Sequence, residues 1–258
     1  MTRFRTLFIG QTFHSFTELG STNEAALYQL SKNTPPEGTV ISADYQTQGR
    51  GQIGRTWESE ACANVTLSVI LYPKFLAPTQ QFSLSQVSAL AVRSVVVELL
   101  AMPEKVSVKW PNDIFIEDHK VAGILIQNTL SKGQISASVI GIGINVNQRK
   151  FSSTRAPATS LSLVGEATYG LDTVRQLLFQ NLEFYYLQLR REGPDALQAA
   201  YHRHLYRRGK STRFERASGE QFVGTLQGVT PQGKLSITTG RGQETFDLRS
   251  VRLLPDED

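Results

Sequence analysis

The order of apolar and polar positions along the 258-residue chain divides it into two stretches. From Asn64 to Tyr72, Val65, Leu67, Val69 and Leu71 fall on alternate positions, the period of a half-buried strand. Phe82 to Leu100 changes to a spacing near 3.6 and predicts a long core helix. Short β-rich segments follow at 106–110, 114–116, 121–127 and 134–146, separated by Glu117-Asp118-His119 and Ser131-Lys132-Gly133. Turns of that length join neighbouring strands, so the sheet is expected to be antiparallel or mixed, with helices gathered on one face.

Upstream, a short strand at 12–16 precedes a helix expected from Ser21 to about Lys32. Ser21 is placed as N-cap and Glu24, three residues on, as its capping-box partner. A strand is expected at 39–45, and residues 46–57, with three glycines and neither period, form a loop. Helical patterns return at 172–191 and 194–204. Four strand-sized segments, around Arg213, Phe222, Leu235 and Phe246, then close the chain as a small barrel.

Composition narrows the class. Hydrophobic residues make up 40% and charged residues 19%, which predicts a soluble globular chain. A net charge of +4 spread along the sequence gives little reason to expect nucleic-acid binding, and Arg203, Arg207, Arg208 and Lys210 read as a solvated helix end. Cys62 is the single cysteine, which excludes an intrachain disulfide and suggests a reducing compartment, and it is expected to be a small buried residue. The longest apolar run, 89–102, is interrupted by Arg93, Ser94 and Glu98 and falls short of the roughly 20 residues a membrane span needs. The opening Leu7 to Ile9 is too short for a signal-peptide core, so a cytoplasmic location is expected.

Four stretches carry candidate chemistry. Gly49-Arg50-Gly51-Gln52-Ile53-Gly54-Arg55-Thr56-Trp57 combines glycines, which let a backbone wrap a ligand, with arginines suited to carboxylate or phosphate oxygens. A surface loop with incidental glycines has the same composition, and the spacing fits neither a Walker loop nor a dinucleotide fingerprint. Lys109-Trp110-Pro111-Asn112-Asp113 sets a cation, an amide and a carboxylate around a proline that breaks a strand, a set suited to a nucleotide with its magnesium ion. A plain Trp-Pro turn with Lys109 exposed fits it as well. Lys120-Val121-Ala122-Gly123 puts a cation ahead of a strand glycine, and Gly141 to Asn147 repeats the glycine pattern with an amide at Asn145.

Taken in order, Ser21-Thr22-Asn23, Gln46, Gly49-Arg50-Gly51, Arg55 with Trp57, the Lys109 to Asp113 stretch, Lys120 with Ala122-Gly123, and Gly141 to Asn145 closely resemble the biotin protein ligases. The resemblance implies an α+β fold, a class II aminoacyl-tRNA synthetase-like, biotin/lipoate ligase catalytic domain over 1–208, followed by a small SH3-like barrel over 209–258. It implies ATP-dependent biotinylation of a carboxyl carrier protein or carboxylase subunit through biotinyl-5'-AMP, with ATP and magnesium as cofactors and a homodimer possible.

By the same resemblance Ser21, Thr22, Asn23, Gln46, Gly49, Arg50, Gly51 and Gln52 line the biotin site. Lys120 meets the biotin carboxylate, and Gly123 and Gly141 let the biotin rings approach the sheet. Arg55, Trp57, Lys109, Asn112, Asp113, Asn145 and Arg249 match positions on the nucleotide side, with Lys120, Arg50, Lys109 and Asp113 carrying the catalysis. One position departs: Gln52 stands where the family often has arginine, which implies a looser hold on the adenylate. A lipoate ligase of the same fold is the alternative enzyme. A biotin-responsive DNA-binding repressor is the alternative from another class, disfavoured by the 20 residues that precede Ser21.

Overall fold

The computed structural model describes residues 4–52, 56–152 and 157–254. Seven strands, β1 (Phe13–Leu19), β2 (Val40–Gln46), β3 (Val65–Leu71), β4 (Val106–Lys109), β5 (Asp113–Ile116), β6 (His119–Ser131) and β7 (Gln134–Ile144), form one sheet. Their order is β1-β2-β3-β7-β6-β5-β4. β1 and β2 run parallel, because α1 (Thr22–Lys32) crosses between them, and every other neighbour is antiparallel, as the hairpin-sized turns predict.

The helices differ from expectation in one respect: they cover both faces. Val65, Leu67, Val69 and Leu71 of β3, with Ile140 and Ile142 of β7, join the core formed by α2 (Phe82–Leu100) and α4 (Leu171–Glu192). On the opposite face Ala26 of α1 packs with Ile41, Ile70 and Val139. Covered on both sides, β3 is buried along its whole length, and its alternation reflects two different partners instead of one wet face.

The start of α1 also differs. Ser21 makes no side-chain cap, and Glu24 turns outward to an ion pair with Arg50. The N–H of Thr22 is satisfied from outside the helix, by the side-chain oxygen of Gln46 on β2 at 2.8 Å. α2 is long and apolar enough to cross a membrane by composition, the only such helix among the described residues, but most of it is buried as the core helix. The N-terminal segment is tied to α4: the backbone N–H groups of Leu7, Phe8 and Ile9 all donate to the buried carboxylate of Glu183.

Beyond the short helices α3 (Leu161–Gly165) and α5 (Gln198–Arg203), a second, all-antiparallel sheet contains β8 (Ser211–Arg216), β9 (Gln221–Val229), β10 (Leu235–Thr239), β11 (Gly242–Phe246) and β12 (Val251–Leu253). Its order is β11-β10-β9-β8-β12, so strand pairing is open between β11 and β12 among the described residues. The connection between the sheets lies along the outer edge of β4, where Val108 N donates to His204 O at 2.7 Å and Tyr206 N donates to Val108 O at 2.9 Å. That covers an edge that would otherwise be open to pairing.

Two expectations about single residues fail here. Arg207 is no solvated helix end: it pairs with Asp118 on the β5–β6 turn and has a side chain only 12% exposed. Cys62 is exposed and has φ +59°, in a turn whose backbone N–H reaches Asp44 O. A chain reversing that tightly ahead of β3 leaves its side chain outside the core.

Candidate active site

A narrow cleft with a cavity volume of about 80 Å³, open to solvent at its mouth, lies on the α1 face of the large sheet. Its inner end is formed by Ser21, Thr22 and Asn23 at the start of α1 and by Gln46; its floor by β7, β6 and Leu67; and its outer wall by Arg50, Gly51, Gln52 and Trp57. The turn chemistry of Gly20-Ser21 puts α1 with its first turn against the sheet, which buries Ser21, Thr22 and Asn23 to 4%, 4% and 3% exposure.

The glycines make room for neighbouring side chains of the cleft. A Cβ at Gly141 would lie 2.0 Å from Asn23 Oδ1, and one at Gly143 would lie 2.3 Å from the Trp57 indole. A Cβ at Gly123 would meet Lys120 Nζ at 3.0 Å and Trp57 at 3.1 Å. The space at Gly141 and Gly123, expected for a ligand's rings, is therefore shared with Asn23, Lys120 and Trp57. Gly49 lies outside the cleft lining; a Cβ there would strike the Trp57 carbonyl, and Trp57 N donates to Gly49 O at 2.9 Å, closing the loop on itself.

At the inner end the polar groups form a connected set. Asn23 Nδ2 donates to Gln127 Oε1 at 3.0 Å and, at 3.4 Å, toward Leu125 O. Ser68 Oγ lies 2.5 Å from Asn23 Oδ1 and 2.8 Å from Thr22 Oγ1. Gln46 accepts from Thr22 N through Oε1, leaving its amide nitrogen for the cleft. Buried polar groups cost free energy unless paired, and here each pairs with another.

Charge gathers at the other end. Lys120 Nζ is 2.7 Å from Asp113 Oδ1, with side chains 25% and 22% exposed, and the ammonium stands 5.7 Å from the Trp57 ring centroid. Arg50 also lines the cleft and is ion-paired with Glu24 in the first turn of α1. The turn from Lys109 to Asp113 is braced from three sides. Trp110 Nε1 donates to Gly233 O of the second sheet at 2.9 Å, Tyr201 Oη donates to Pro111 O at 2.8 Å, and Asn112 Nδ2 donates to Ile124 O. Gln52 Nε2 then donates to Asn112 Oδ1 at 3.0 Å and ties the glycine-rich loop to this turn.

Of the residues expected at the site, Ser21, Thr22, Asn23, Gln46, Arg50, Gly51, Gln52, Trp57, Asp113, Lys120, Gly123 and Gly141 come together around the cleft. Asn112 stands behind it on Gln52. Lys109, Asn145 and Arg249 are not among its lining. Lys109 Nζ lies 4.6 Å from the Phe115 ring centroid and 5.7 Å from that of Tyr206. Asn145 is buried and donates to Thr159 O, while its side-chain oxygen has no partner. Arg249 sits exposed in the turn before β12 with φ +78°. Arg55 lies outside the described residues.

Sequence reasoning missed Ser68 and Gln127, and it singled out the 141–147 stretch without giving Gly143 a role of its own. The available signal was a polar residue in an otherwise apolar strand, Val65-Thr66-Leu67-Ser68-Val69, and again at Gln127 after Ile124-Leu125-Ile126. Among the described residues no three acidic, histidine or cysteine side chains gather to hold a metal ion. Asn112 itself is engaged on both sides, donating to Ile124 O and accepting from Gln52.

A sequence model of the biotin/lipoate A/B protein ligase family matches residues 16–145. The chain is 31% identical over 253 residues to the bifunctional ligase/repressor BirA of Bacillus subtilis, covering 96% of this chain and 76% of that one. It is 32% identical over 225 residues to a biotin--[acetyl-CoA-carboxylase] ligase of Mycobacterium tuberculosis, covering 86% and 82%. The fold matches a biotin protein ligase of Aquifex aeolicus, solved in complex with biotin and ATP, with a TM-score of 0.79 at 26% identity over 95% of this chain and 100% of that one.

Proposed function

The chain belongs to the biotin/lipoate A/B protein ligase family, and we propose that it uses ATP to activate biotin as biotinyl-5'-AMP and transfers the biotinyl group to a lysine of a carboxyl carrier protein or carboxylase subunit. The observation that carries this reading is the polarity of the cleft: hydrogen-bonding groups at Thr22 and Gln46 close one end, the cation Lys120 stands at the other beside Asp113, and Arg50 lines the wall between. A ligand with a polar ring and a carboxylate tail meets both ends at once.

In the first step a biotin carboxylate oxygen attacks the α-phosphorus of ATP and pyrophosphate leaves. Two anions must approach each other, and Lys120 and Arg50 lower the cost by standing where the carboxylate and phosphate charges meet. Lys109, braced with its turn, and Asn112, Asn145 and Arg55 are assigned to the nucleotide side, with Trp57 as the aromatic wall between the two ligands. Arg249 joins them in this proposal from the second sheet. Magnesium enters only as the ion that ATP carries. In the second step the acceptor lysine's neutral amine attacks the acyl carbon, AMP departs, and Asp113 receives the amine's proton. Positioning supplies much of the acceleration.

Residues 1–208 act in this reading as the catalytic domain and 209–258 as a smaller SH3-like domain, working in the cytoplasm and without nucleic acid. β1 forms one margin of the sheet with a largely exposed face, which supports a homodimer built on that strand. Light scattering after gel filtration reads that assembly directly.

The decisive experiment incubates the protein with a biotin carboxyl carrier domain, ATP, magnesium and equal biotin and lipoate, followed by intact mass spectrometry. An ATP-dependent mass increase equal to one biotinyl group is expected. A lipoyl adduct would move the substrate within the family, and no adduct with no adenylate would overturn the reading.

A further inference from the structure

The inner end of the cleft has a proton order that follows from its geometry. Asn23 reaches across β7, over Gly141, from Ser68 on β3 to Gln127 on β6. A backbone carbonyl only accepts, so the Asn23 atom directed at Leu125 O and Gln127 is the amide nitrogen. Its Oδ1 then faces Ser68 and takes that hydroxyl's single proton. Ser68 has none left for Thr22, 2.8 Å away, so the Thr22 hydroxyl donates to Ser68. Thr22 is left with lone pairs for whatever enters the cleft. Gln46, whose oxygen is taken by Thr22 N, presents its N–H beside them.

We propose that Ser68 and Gln127 are positioning residues for substrate selection: through Asn23 they fix Thr22 as a hydrogen-bond acceptor next to the donor of Gln46. The inner end then selects a ring whose N–H adjoins a C=O, a cyclic urea or lactam edge, and discriminates against a ring without one, such as a dithiolane. Ser68 is fully buried and Asn23 and Thr22 nearly so, and in such surroundings hydrogen bonds that satisfy one another hold their order firmly. The inference rests on the reading of this cleft as the biotin site.

The test separates the two. Binding of biotin, and of biotin methylated on its ring nitrogens, is measured by calorimetry on the full chain without ATP. The wild type is expected to prefer biotin by about tenfold or more, the scale of one buried hydrogen bond left unmade. Gln127→Glu keeps an acceptor facing Asn23 and should keep that preference. Gln127→Lys offers only donors, which turns the Asn23 amide round, makes Ser68 donate to Thr22 and points the Thr22 proton at the ligand. The preference should fall by about tenfold. Ser68→Ala breaks the same order without adding charge and should also shrink the preference, which keeps the test open if the lysine variant does not fold.

An unchanged preference in Gln127→Lys or Ser68→Ala overturns the inference, and so does equal weakening of both ligands. Failure of the wild type to bind biotin at all would instead remove the proposed function on which the inference stands.

Discussion

Lys120 and Asp113 face each other at 2.7 Å, so the cation assigned to the carboxylate is held by a partner that must share it. Removing the ammonium leaves the carboxylate of Asp113 beside two incoming anions. Lys120→Ala is therefore expected to lose about 100-fold or more in adenylation, the effect of deleting one preorganised charge, and near-normal pyrophosphate release would contradict that role. Gln52 works differently, as the strut between the glycine-rich loop and Asn112. Gln52→Ala should let the loop open and release biotinyl-5'-AMP; biotin appearing on bystander lysines of an unrelated protein is expected to rise severalfold over wild type. Residues of this kind were legible through the family resemblance of their ordered motifs, since each stretch alone also fits an ordinary loop or turn. Ser68 and Gln127 were not, because a hydroxyl or amide in a strand has many uses and the partner they share, Asn23 at the start of α1, lies far from both in the chain.

The elements themselves were largely readable from periodicity: α2, β3 and the run of strands from β4 to β7 lie where the spacing put them. What periodicity could not give was the partner of each face. α1 begins where a capping box was expected, yet Ser21 makes no side-chain cap and the first helical N–H, that of Thr22, bonds to Gln46 on β2. α4 shows the same dependence on distant chain. Glu183 accepts three backbone N–H groups from residues 7–9, and the neighbouring Phe179 ring packs against Phe4. Glu183→Ala strands those donors and should cost about 2 kcal/mol or more, a fall in melting temperature on the order of 4–8 °C. β7 carries a sharper constraint, since Gly143 leaves the gap that the Trp57 indole fills. Gly143→Ala should push the indole aside, changing fluorescence that arises from two tryptophans and lowering adenylation together. A changed emission with full activity would detach Trp57 from catalysis.

Across the whole molecule the two sheets share one continuous core, with Phe214, Leu226 and Ile237 of the second sheet in the same cluster as α2 and α4. Their junction is also where the molecule is sensitive to acid. His202 packs against β9, with Nε2 2.9 Å from both the nitrogen and the carbonyl oxygen of Val229. Burial holds its pKa below the usual 6.5, partly offset by the hydrogen bond to the Val229 backbone and helped by the charge of Arg208. Burial likewise lowers His204, and the charges of Arg93 and Arg203 take it further, down to about 4. Both imidazoles are depressed in the folded protein, so their contribution is complete above pH 6.5. As pH falls below that value the unfolded chain takes up protons that the folded chain refuses, until about pH 4 for His204. The protein should therefore lose thermal stability steadily between pH 6.5 and 5, before most carboxylates titrate, and His204→Gln should show a shallower loss over the same range. Because Trp110 hangs from Gly233 and sits in the turn that carries Asp113, adenylation should fall in the same window as the junction loosens. Equal slopes for wild type and variant would place the acid sensitivity elsewhere in the chain.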